Sequence, residues 1–345
     1  MTFGIIGSGS WGTAIAKILS DNGHQLHWWN RSENAIEQFK KRSHNPQYLP
    51  SARFDMSLLH LSSNVNDVIL QSDVIIIAVP SAFVVDVLSR LPKDIFQNKK
   101  ILSAVKGILP EENLLLNDYL NQHFDVALSD YFAVLGPCHA EEVAAEKLSY
   151  LTFSGIDESM TNIIANNFKS SYLRTIVNKD IYGVQYAAIL KNIYAVGSGI
   201  AHGLDYGDNF LSVLIANSAD EMAGFLRKAG IINAEVGYID HKKNTPNVTH
   251  NNYAASVYMG DLLVTCYSLH SRNRSFGNMI GKGYAVKAAQ LEMSMVAEGY
   301  NAARCMYIIN QSVNADMPIA EAVYKILWQN QSAETAFREI EDLLI

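Results

Sequence analysis

Cysteine is scarce in this chain of 345 residues, which has only three, at Cys138, Cys266 and Cys305. Because they lie far apart and form no Cys-x-x-Cys pair, they predict neither a disulfide framework nor a structural metal site. The ten histidines show no metal-ligand spacing, so we expect no metal. Free thiols are typical of a reducing compartment, and the expected location is therefore the cytoplasm.

Runs of basic residues are also missing: 27 Lys and Arg stand against 34 Asp and Glu, a formal net charge of −7. Without clustered cations to neutralise phosphates, nucleic acid is not an expected partner. No run of about 20 uninterrupted apolar residues occurs, because the best candidate, Tyr186–Leu204, contains Lys191, Asn192 and His202. We therefore expect no membrane span. Met1 leads into an apolar run without a basic leader, so no targeting signal is expected.

The first half of the chain alternates short apolar runs with segments of helical spacing. Continuous apolar runs are typical of strands that are covered on both faces of a parallel sheet. These runs are Phe3–Ile6, Leu26–Trp29, Val74–Val79, Ile101–Val105, Phe132–Leu135, Leu151–Phe153 and Leu173–Val177. The helical segments are Thr13–Ser20, Asn34–Lys41, Phe83–Leu91 and Glu111–Asn121. The alternation predicts a doubly wound α/β domain.

After about Asp180 the pattern changes, and only helical spacing remains. The helical stretches are Tyr182–Gly199, Phe210–Ala229, Tyr253–Leu269, Val286–Val313 and Ile319–Gln329. No internal repeat and no low-complexity tract is visible. We therefore expect an α/β domain at residues 1–179, followed by an all-α domain at residues 180–345.

The segment from Gly7 to Gly12 has the pattern G-x-G-x-x-G directly after the first predicted strand and before a helix. In that context Gly7 permits a tight turn, Gly9 lets the backbone approach a pyrophosphate, and Gly12 allows close packing of helix and strand. Free N–H groups and the helix dipole would hold the anion. The alternative is a tight turn without a ligand. The pattern favours a Rossmann-like sheet that binds a dinucleotide.

The end of the second predicted strand bears on the choice of nucleotide. A site specific for NAD usually places a carboxylate there to bind the ribose 2′-hydroxyl. This chain has Trp28-Trp29-Asn30-Arg31-Ser32 instead. Since an arginine can pair with a 2′-phosphate, Arg31 favours NADPH and leaves NADH open. A solvated loop residue is the alternative for Arg31.

Two further strand ends carry residues suited to ligand binding. In doubly wound sheets, ligands lie at the carboxyl ends of the strands. Lys106 follows the apolar run that ends at Val105, and Gly136-Pro137-Cys138 follows the run that ends at Leu135. An ordinary surface lysine is the alternative for Lys106, but its place on this edge favours contact with a ligand.

Lys191 lies in a strongly apolar helical stretch, next to Asn192. Burying an ammonium costs several kcal/mol unless it is paired or deprotonated. Because burial brings the charged and neutral forms of an amine closer in free energy, a buried lysine suits a group that donates and accepts a proton. The alternative is a lysine that reaches solvent from the edge of the helix. Asn192 can hydrogen-bond a hydroxyl or a carbonyl. Asp261 and Thr265, one helical turn apart, can place a carboxylate and a hydroxyl in one site.

The run Ser271-Arg272-Asn273-Arg274-Ser275 is dense in hydrogen-bond donors. Two arginines on either side of an asparagine suit a phosphate. A solvated helix end is the alternative. The histidine of Pro137-Cys138-His139 has no Cys-x-x-Cys beside it and indicates no metal site.

Taken together, these motifs resemble the bacterial NAD(P)-dependent glycerol-3-phosphate dehydrogenase family along nearly the whole chain. The matching pieces are Gly7–Gly12, Asn45–Pro50, Asp73–Pro80, Lys106-Gly107, Gly136-Pro137, Gly183–Gln185, Lys191-Asn192, Gly260–Leu262, Ser271–Gly277 and Glu298-Gly299. Cys138 stands where the family usually has threonine, and the segments Phe210–Asp220 and Ala254–Gly260 also depart from its pattern.

The resemblance implies an oxidoreductase that interconverts dihydroxyacetone phosphate and sn-glycerol 3-phosphate for glycerophospholipid synthesis, with Lys191 as the catalytic proton donor and acceptor. It implies substrate contacts at Lys106, Gly136, Asp261, Ser271, Arg272 and Asn273. From their positions close to these residues or to Lys191 in the motifs, we also expect Cys138, Asn192 and Thr265 to contact the substrate. It implies that NADP(H) or NAD(H) lies against Ser10, Trp11, Arg31, Lys106, Ala140, Arg272, Val296 and Glu298, besides Gly7, Gly9 and Gly12. A homodimer is expected.

Two other functions stay open at this point. One is a reductase of similar architecture with a carboxylate substrate, since Arg272 could bind a carboxylate as well as a phosphate. The other is a dinucleotide sensor without catalysis, which the presence of both Lys191 and Asp261 disfavours.

Overall fold

The computed structural model describes residues 1–231, 257–293 and 297–344. Eight strands form one sheet in the order β3-β2-β1-β4-β5-β6-β7-β8. They are β1 Phe3–Ile6, β2 Leu26–Trp29, β3 Leu59–Ser62, β4 Val74–Ile77, β5 Lys100–Ser103, β6 Tyr131–Leu135, β7 Ser149–Ser154 and β8 Leu173–Asn178. All neighbours are parallel except β6 and β7, which pair antiparallel.

Seven helices connect the strands. They are α1 Ser10–Asp21, α2 Glu33–Arg42, α3 Val65–Leu70, α4 Val84–Leu88, α5 Leu116–Phe124, α6 Ala140–Ala144 and α7 Glu158–Phe168. The central strands β1 and β4 are buried at every position, which explains their unbroken apolar runs. The predicted doubly wound α/β domain is confirmed.

Strand β3 was not predicted from the sequence. It lies at the edge of the sheet, where it pairs only with β2, and only Leu59 among its four residues is buried. A short edge strand of this kind needs no continuous apolar run. The predicted helix at Glu111–Asn121 is wrong in its first turn, because Asn113 has a positive φ of 53° and the helix begins at Leu116.

Past residue 180, every regular element in the described part of the chain is a helix. The helices are α8 Ile181–Gly203, α9 Asp208–Lys228, α10 Met259–Tyr267, α11 Arg272–Gly281, α12 Val286–Glu292, α13 Glu298–Val313, α14 Pro318–Trp328 and α15 Ala333–Glu341. The predicted all-α second half is confirmed. The predicted single helix Val286–Val313 is wrong, because Met293 and Ala297 have extended backbones that separate α12 from α13.

By its internal packing the chain divides into two compact units. One comprises Met1–Val105 with Leu114–Ile181, and the other comprises Lys106–Asn113 with Tyr182–Ile345. We call them the sheet unit and the helical unit. The functional division expected at residues 179 and 180 stays a prediction. The sequence did not indicate that the segment Lys106–Asn113 packs with the helical unit. None of the described helices is long and apolar enough to cross a membrane.

Candidate active site

The glycine-rich turn of the sheet unit has the geometry that a dinucleotide requires. Gly7 has a φ of +123°, and a Cβ on Gly12 would lie 2.2 Å from the carbonyl oxygen of Gly7. A Cβ on Gly9, in contrast, would meet nothing within 4 Å. Gly9 is also the N-cap of α1, which has neither a side-chain cap nor an acidic residue in its first turn. A helix N-terminus with open space beside it fits a pyrophosphate.

The same turn is held by two side chains whose role the sequence did not reveal. The Nδ2 of Asn45, a buried residue, donates hydrogen bonds to the Ser8 carbonyl at 2.9 Å and to the Thr13 hydroxyl at 2.8 Å. The indole nitrogen of Trp28 donates to the Gly7 carbonyl at 2.9 Å. The one available signal was the piece Asn45–Pro50, which carries the family resemblance without indicating this role.

The remaining candidates of the sheet unit follow the carboxyl ends of parallel strands. Arg31 is exposed two residues after β2. Gly136 follows β6 with a φ of +139°, and a Cβ there would lie 2.9 Å from the Tyr150 carbonyl oxygen. Cys138 is buried and forms no disulfide, and Ala140, also buried, begins α6. Ser10 and Trp11 open α1, with Ser10 buried and Trp11 half-buried.

The helical unit buries a pair of opposite charges. The Lys191 ammonium of α8 forms an ion pair with Asp261 Oδ1 of α10, and the two side chains are 4% and 2% exposed. The alternative of a lysine that reaches solvent is therefore wrong. The pairing offsets part of the cost of burying both charges.

Asp261 is held by its own helix and keeps one oxygen available. The Thr265 hydroxyl donates to the Asp261 carbonyl oxygen at 2.6 Å, and it lies 3.4 Å from Oδ1. The other carboxylate oxygen, Oδ2, is buried without a hydrogen-bond partner among the described residues. Asp261 and Thr265 therefore lie side by side, as their spacing predicts, and their sharing of one site stays a prediction. An unpaired acceptor beside an ammonium provides a place for a hydroxyl group.

A chain of amide hydrogen bonds joins the remaining candidates of the helical unit. The Gly299 N–H donates to Asn273 Oδ1 at 3.0 Å. Asn273 Nδ2 donates to Asn192 Oδ1 at 2.9 Å, and Asn192 Nδ2 donates to the Lys106 carbonyl oxygen at 3.1 Å. Glu298, beside Gly299, is half-buried. These bonds join Lys106, Asn273 and the start of α13 to Asn192, the residue that follows Lys191 on α8. Val296 lies outside the described residues.

Helices α8 and α11 approach each other closely because glycines face the opposing backbone. A Cβ on Gly199 would lie 2.1 Å from the Arg274 carbonyl oxygen, and a Cβ on Gly277 would lie 2.0 Å from the Val196 carbonyl oxygen. Larger side chains at these positions would force the helices apart. The crossing therefore brings the start of α11 to the helix that carries Lys191.

The predicted donor cluster forms the N-terminus of α11. Ser271 is the N-cap, and its hydroxyl oxygen accepts a hydrogen bond from the Arg274 N–H at 3.3 Å. Arg272 is exposed, Asn273 is buried, and the first turn holds no acidic residue. A helix N-terminus with an arginine suits an anion.

The helical unit also contains two buried titratable groups, Glu221 and Cys266. Burial raises the pKa of Glu221 to about 8, although its carboxylate accepts hydrogen bonds from the Ile319 N–H at 2.8 Å and the Ala320 N–H at 3.0 Å. Glu221 also accepts from the Tyr194 hydroxyl at 3.1 Å, so it caps α14 from outside. Burial likewise raises the pKa of the Cys266 thiol to about 12, which leaves that thiol unreactive.

A dinucleotide-binding sheet unit, followed by a helical unit with a buried lysine–aspartate pair, defines a nicotinamide-dependent dehydrogenase. Among the residues that the structure describes, no group of His, Cys, Asp or Glu could hold a metal ion. The chemistry of such an enzyme is hydride transfer coupled to movement of a proton.

Comparison with known proteins defines the family. The family model for the N-terminus of NAD-dependent glycerol-3-phosphate dehydrogenase matches residues 2–161, and the model for its C-terminus matches residues 180–338. The chain belongs to this family. Bacillus velezensis glycerol-3-phosphate dehydrogenase [NAD(P)+] is 32% identical over 337 residues, which cover 97% of this chain and 92% of the relative.

More distant relatives agree with this result. The enzyme of the same name from Staphylococcus aureus is 29% identical over 340 residues, 97% of this chain and 96% of the relative. The crystal structure of glycerol-3-phosphate dehydrogenase from Coxiella burnetii superimposes with a TM-score of 0.86, covers 98% of each chain and is 24% identical. At that identity the structural likeness shows the fold alone.

Proposed function

We propose that this NAD(P)-dependent dehydrogenase reduces dihydroxyacetone phosphate to sn-glycerol 3-phosphate, reversibly, and supplies glycerophospholipid synthesis. The observation that carries the proposal is the buried pair of Lys191 and Asp261 in a member of the glycerol-3-phosphate dehydrogenase family. When bound, NAD(P)H supplies the hydride that adds to the C2 carbonyl carbon.

Lys191 then has a defined task. As negative charge develops on the C2 oxygen, the Lys191 ammonium stabilises it and donates the proton that completes the alcohol. Asp261 keeps the ammonium in place, and Thr265 fixes Asp261 through its backbone. In the reverse reaction the neutral amine of Lys191 accepts the hydroxyl proton.

The phosphate of the substrate is assigned to the start of α11. Arg272, the Ser271 hydroxyl and the first N–H groups of α11 provide donors without a competing carboxylate in the first turn. We assign Lys106 as a second cation for the phosphate, since its backbone is held by the hydrogen bond from Asn192, the neighbour of Lys191 in sequence. Binding of the phosphate, remote from the reacting carbon, orients the carbonyl.

The dinucleotide is assigned to the glycine-rich turn, on the open side of Gly9. Ser10 and Trp11 would contact it at the start of α1, and Arg31 would pair with a 2′-phosphate. This arrangement favours NADPH and accepts NADH. Gly136, Cys138 and Ala140 follow β6 at the carboxyl edge of the sheet, where such ligands bind.

We also propose a cytoplasmic homodimer. All three cysteines are buried and none forms a disulfide, which suits a reducing compartment. Exposed apolar side chains on α9 and α10, including Val213, Leu263 and Tyr267, suit contact with a second copy. Light scattering coupled to size-exclusion chromatography measures the oligomeric state, and fractionation of cells measures the location.

The function is tested by oxidation of NADPH and of NADH, followed at 340 nm, with a panel of substrates. The panel contains dihydroxyacetone phosphate, dihydroxyacetone, and 2-keto and 3-keto acids without phosphate. We expect turnover with dihydroxyacetone phosphate and little with the others. Preference for a keto acid would replace the proposal with the carboxylate reductase, and cofactor binding without any turnover would favour a sensor.

A further inference from the structure

The segment Lys106–Asn113 is held at two points by hydrogen bonds from other parts of the helical unit, and the second point lies four residues after Lys106. Arg304 Nη2 of α13 donates a hydrogen bond to the Pro110 carbonyl oxygen at 3.0 Å. The other tie is the bond from Asn192 to the Lys106 carbonyl oxygen. Between the two ties, Ile108 and Leu109 are buried, so the segment has apolar anchors as well.

Arg304 is itself held in place by aromatic rings. Its guanidinium carbon lies 4.8 Å from the centroid of the Trp328 ring. Trp328 stacks on Tyr300 with centroids 4.3 Å apart, and its indole nitrogen donates to the Tyr300 carbonyl oxygen at 2.9 Å. Stacking of a planar guanidinium on an aromatic face fixes its orientation. The Arg304 guanidinium is therefore already oriented toward the Pro110 carbonyl oxygen before the substrate binds.

We propose that Arg304 is a positioning residue for substrate binding: through Pro110 it fixes the segment that carries Lys106, and so sets where the Lys106 ammonium meets the substrate phosphate. The inference rests on the proposed role of Lys106 in binding dihydroxyacetone phosphate. Arg304 acts only through the segment and makes no contact with the reacting atoms.

The physical reason lies in the shortness of the segment. Without the bond to Arg304, the backbone at Pro110 moves about its remaining anchors, and Lys106, four residues away, samples a wider range of positions. Binding then has to restrict that range, which weakens the phosphate contact. Misplacement of a positioning group by about 1 Å can cost up to about 100-fold, and since the apolar anchors remain we expect about a tenfold effect.

The test compares three variants of the full-length protein. Arg304→Ala removes the tie, Arg304→Lys keeps one donor and the positive charge, and Arg227→Ala removes an exposed arginine of α9 as a matched control. For each, KM for dihydroxyacetone phosphate, KM for NADPH and kcat are measured. Hydrogen exchange of the peptide that spans residues 106–113 is followed by mass spectrometry.

We expect Arg304→Ala to raise KM for dihydroxyacetone phosphate about tenfold, with faster exchange in residues 106–113. KM for NADPH should rise less, because Lys106 is also expected to line the cofactor while most of the cofactor site lies at the glycine-rich turn. Arg304→Lys should recover part of both effects, and Arg227→Ala should match the wild type. Faster exchange with an unchanged KM for dihydroxyacetone phosphate would overturn the inference, as would an equal rise of both KM values. If the wild type does not reduce dihydroxyacetone phosphate, the proposed function is wrong. If hydrogen exchange in residues 106–113 is unchanged in Arg304→Ala, the bond from Arg304 to Pro110 does not hold the segment, and the inference about Arg304 is wrong.

Discussion

Asp261 and Lys191 form an ion pair with almost no exposure to solvent, their side chains being 2% and 4% exposed. A buried pair of this kind gives little net stability, because desolvation of both charges opposes their attraction. Removal of either partner alone, however, leaves a buried charge without compensation. We therefore explain the pair by a role in proton transfer and not by a contribution to stability. Measurements of kcat and of the free energy of unfolding test this explanation.

Replacement of Lys191 by methionine removes the proton donor and keeps most of the side-chain volume. Because positioned proton transfer contributes about 10²–10⁴-fold to rate, kcat should fall by about that factor. The affinity for NADPH, measured by fluorescence titration, should stay unchanged. Lys282→Met, at an exposed position of the same unit, should behave as the wild type. Near-normal turnover of Lys191→Met would remove Lys191 from the mechanism.

Replacement of Asp261 by asparagine leaves the Lys191 ammonium buried without its counter-charge. The free energy of unfolding should fall by about 3–5 kcal/mol, as measured by urea denaturation. The double variant Lys191→Met with Asp261→Asn should regain much of that stability and stay inactive. If the double variant is no more stable than Asp261→Asn alone, the two groups are not coupled in the way that the ion pair requires.

Replacement of Arg272 by alanine should weaken binding of the substrate phosphate and leave the reduction of the carbonyl group unchanged. Loss of charge-assisted hydrogen bonds worth about 1.5–3 kcal/mol predicts a fall of about 10- to 100-fold in kcat/KM for dihydroxyacetone phosphate. The slow turnover of dihydroxyacetone, which lacks the phosphate, should not change. An equal loss with both ketones would contradict the assignment of Arg272 to the phosphate.

The glycine-rich turn allows two matched substitutions to be compared. Gly9 has an extended backbone with a φ of −73°, and a Cβ there meets nothing within 4 Å, so Gly9→Ala should fold with stability within about 1 kcal/mol of the wild type. It should nevertheless lose affinity for NADPH, because the methyl group occupies the pyrophosphate position.

Gly12→Ala should behave in the opposite way. Its Cβ would lie 2.2 Å from the Gly7 carbonyl oxygen, so the variant should unfold at lower urea concentration. Undiminished NADPH binding by Gly9→Ala, measured by calorimetric titration, would move the cofactor away from this turn.

Glu221 should make stability depend on pH. Burial raises its pKa to about 8 in the folded protein, against an ordinary value of 4.5, so the folded state binds more protons than the unfolded state between these values. The stabilising contribution is full below about pH 4.5 and is lost as pH rises through about 8. Stability relative to Glu221→Gln should therefore fall between pH 5 and 9 in urea titrations. A parallel pH dependence of the two proteins would show that Glu221 titrates normally.

Much of the fold could be predicted because its signals are local. Seven of the eight strands were predicted from continuous apolar runs, and the glycine-rich turn followed from residue spacing alone. β3 was missed because an edge strand with one buried residue lacks such a run. Helix α11 was missed because its first turn, Arg272–Ser275, gives a strong charge pattern and no apolar periodicity.

The sequence indicated which residues are candidates for the site, but it did not indicate which of them contact one another. Lys191 stood out because a charge within an apolar helix is costly wherever the chain folds. The contacts of Asn45 and Arg304 could not be predicted from the sequence. Each side chain donates a hydrogen bond to the carbonyl oxygen of a residue distant in sequence, Ser8 for Asn45 and Pro110 for Arg304. Such bonds depend on the backbone path and leave no mark on spacing.

The sequence by itself determined where seven of the strands, most of the long helices and the glycine-rich turn form, because apolar period and turn chemistry are properties of neighbouring residues. Only the tertiary structure decided which carboxylate neutralises Lys191, how the asparagines of α8 and α11 join, and that Lys106–Asn113 packs with the helical unit. The bond between the asparagines of α8 and α11 depends on the close crossing at Gly199 and Gly277, where the absence of two side chains allows the two helix backbones to meet.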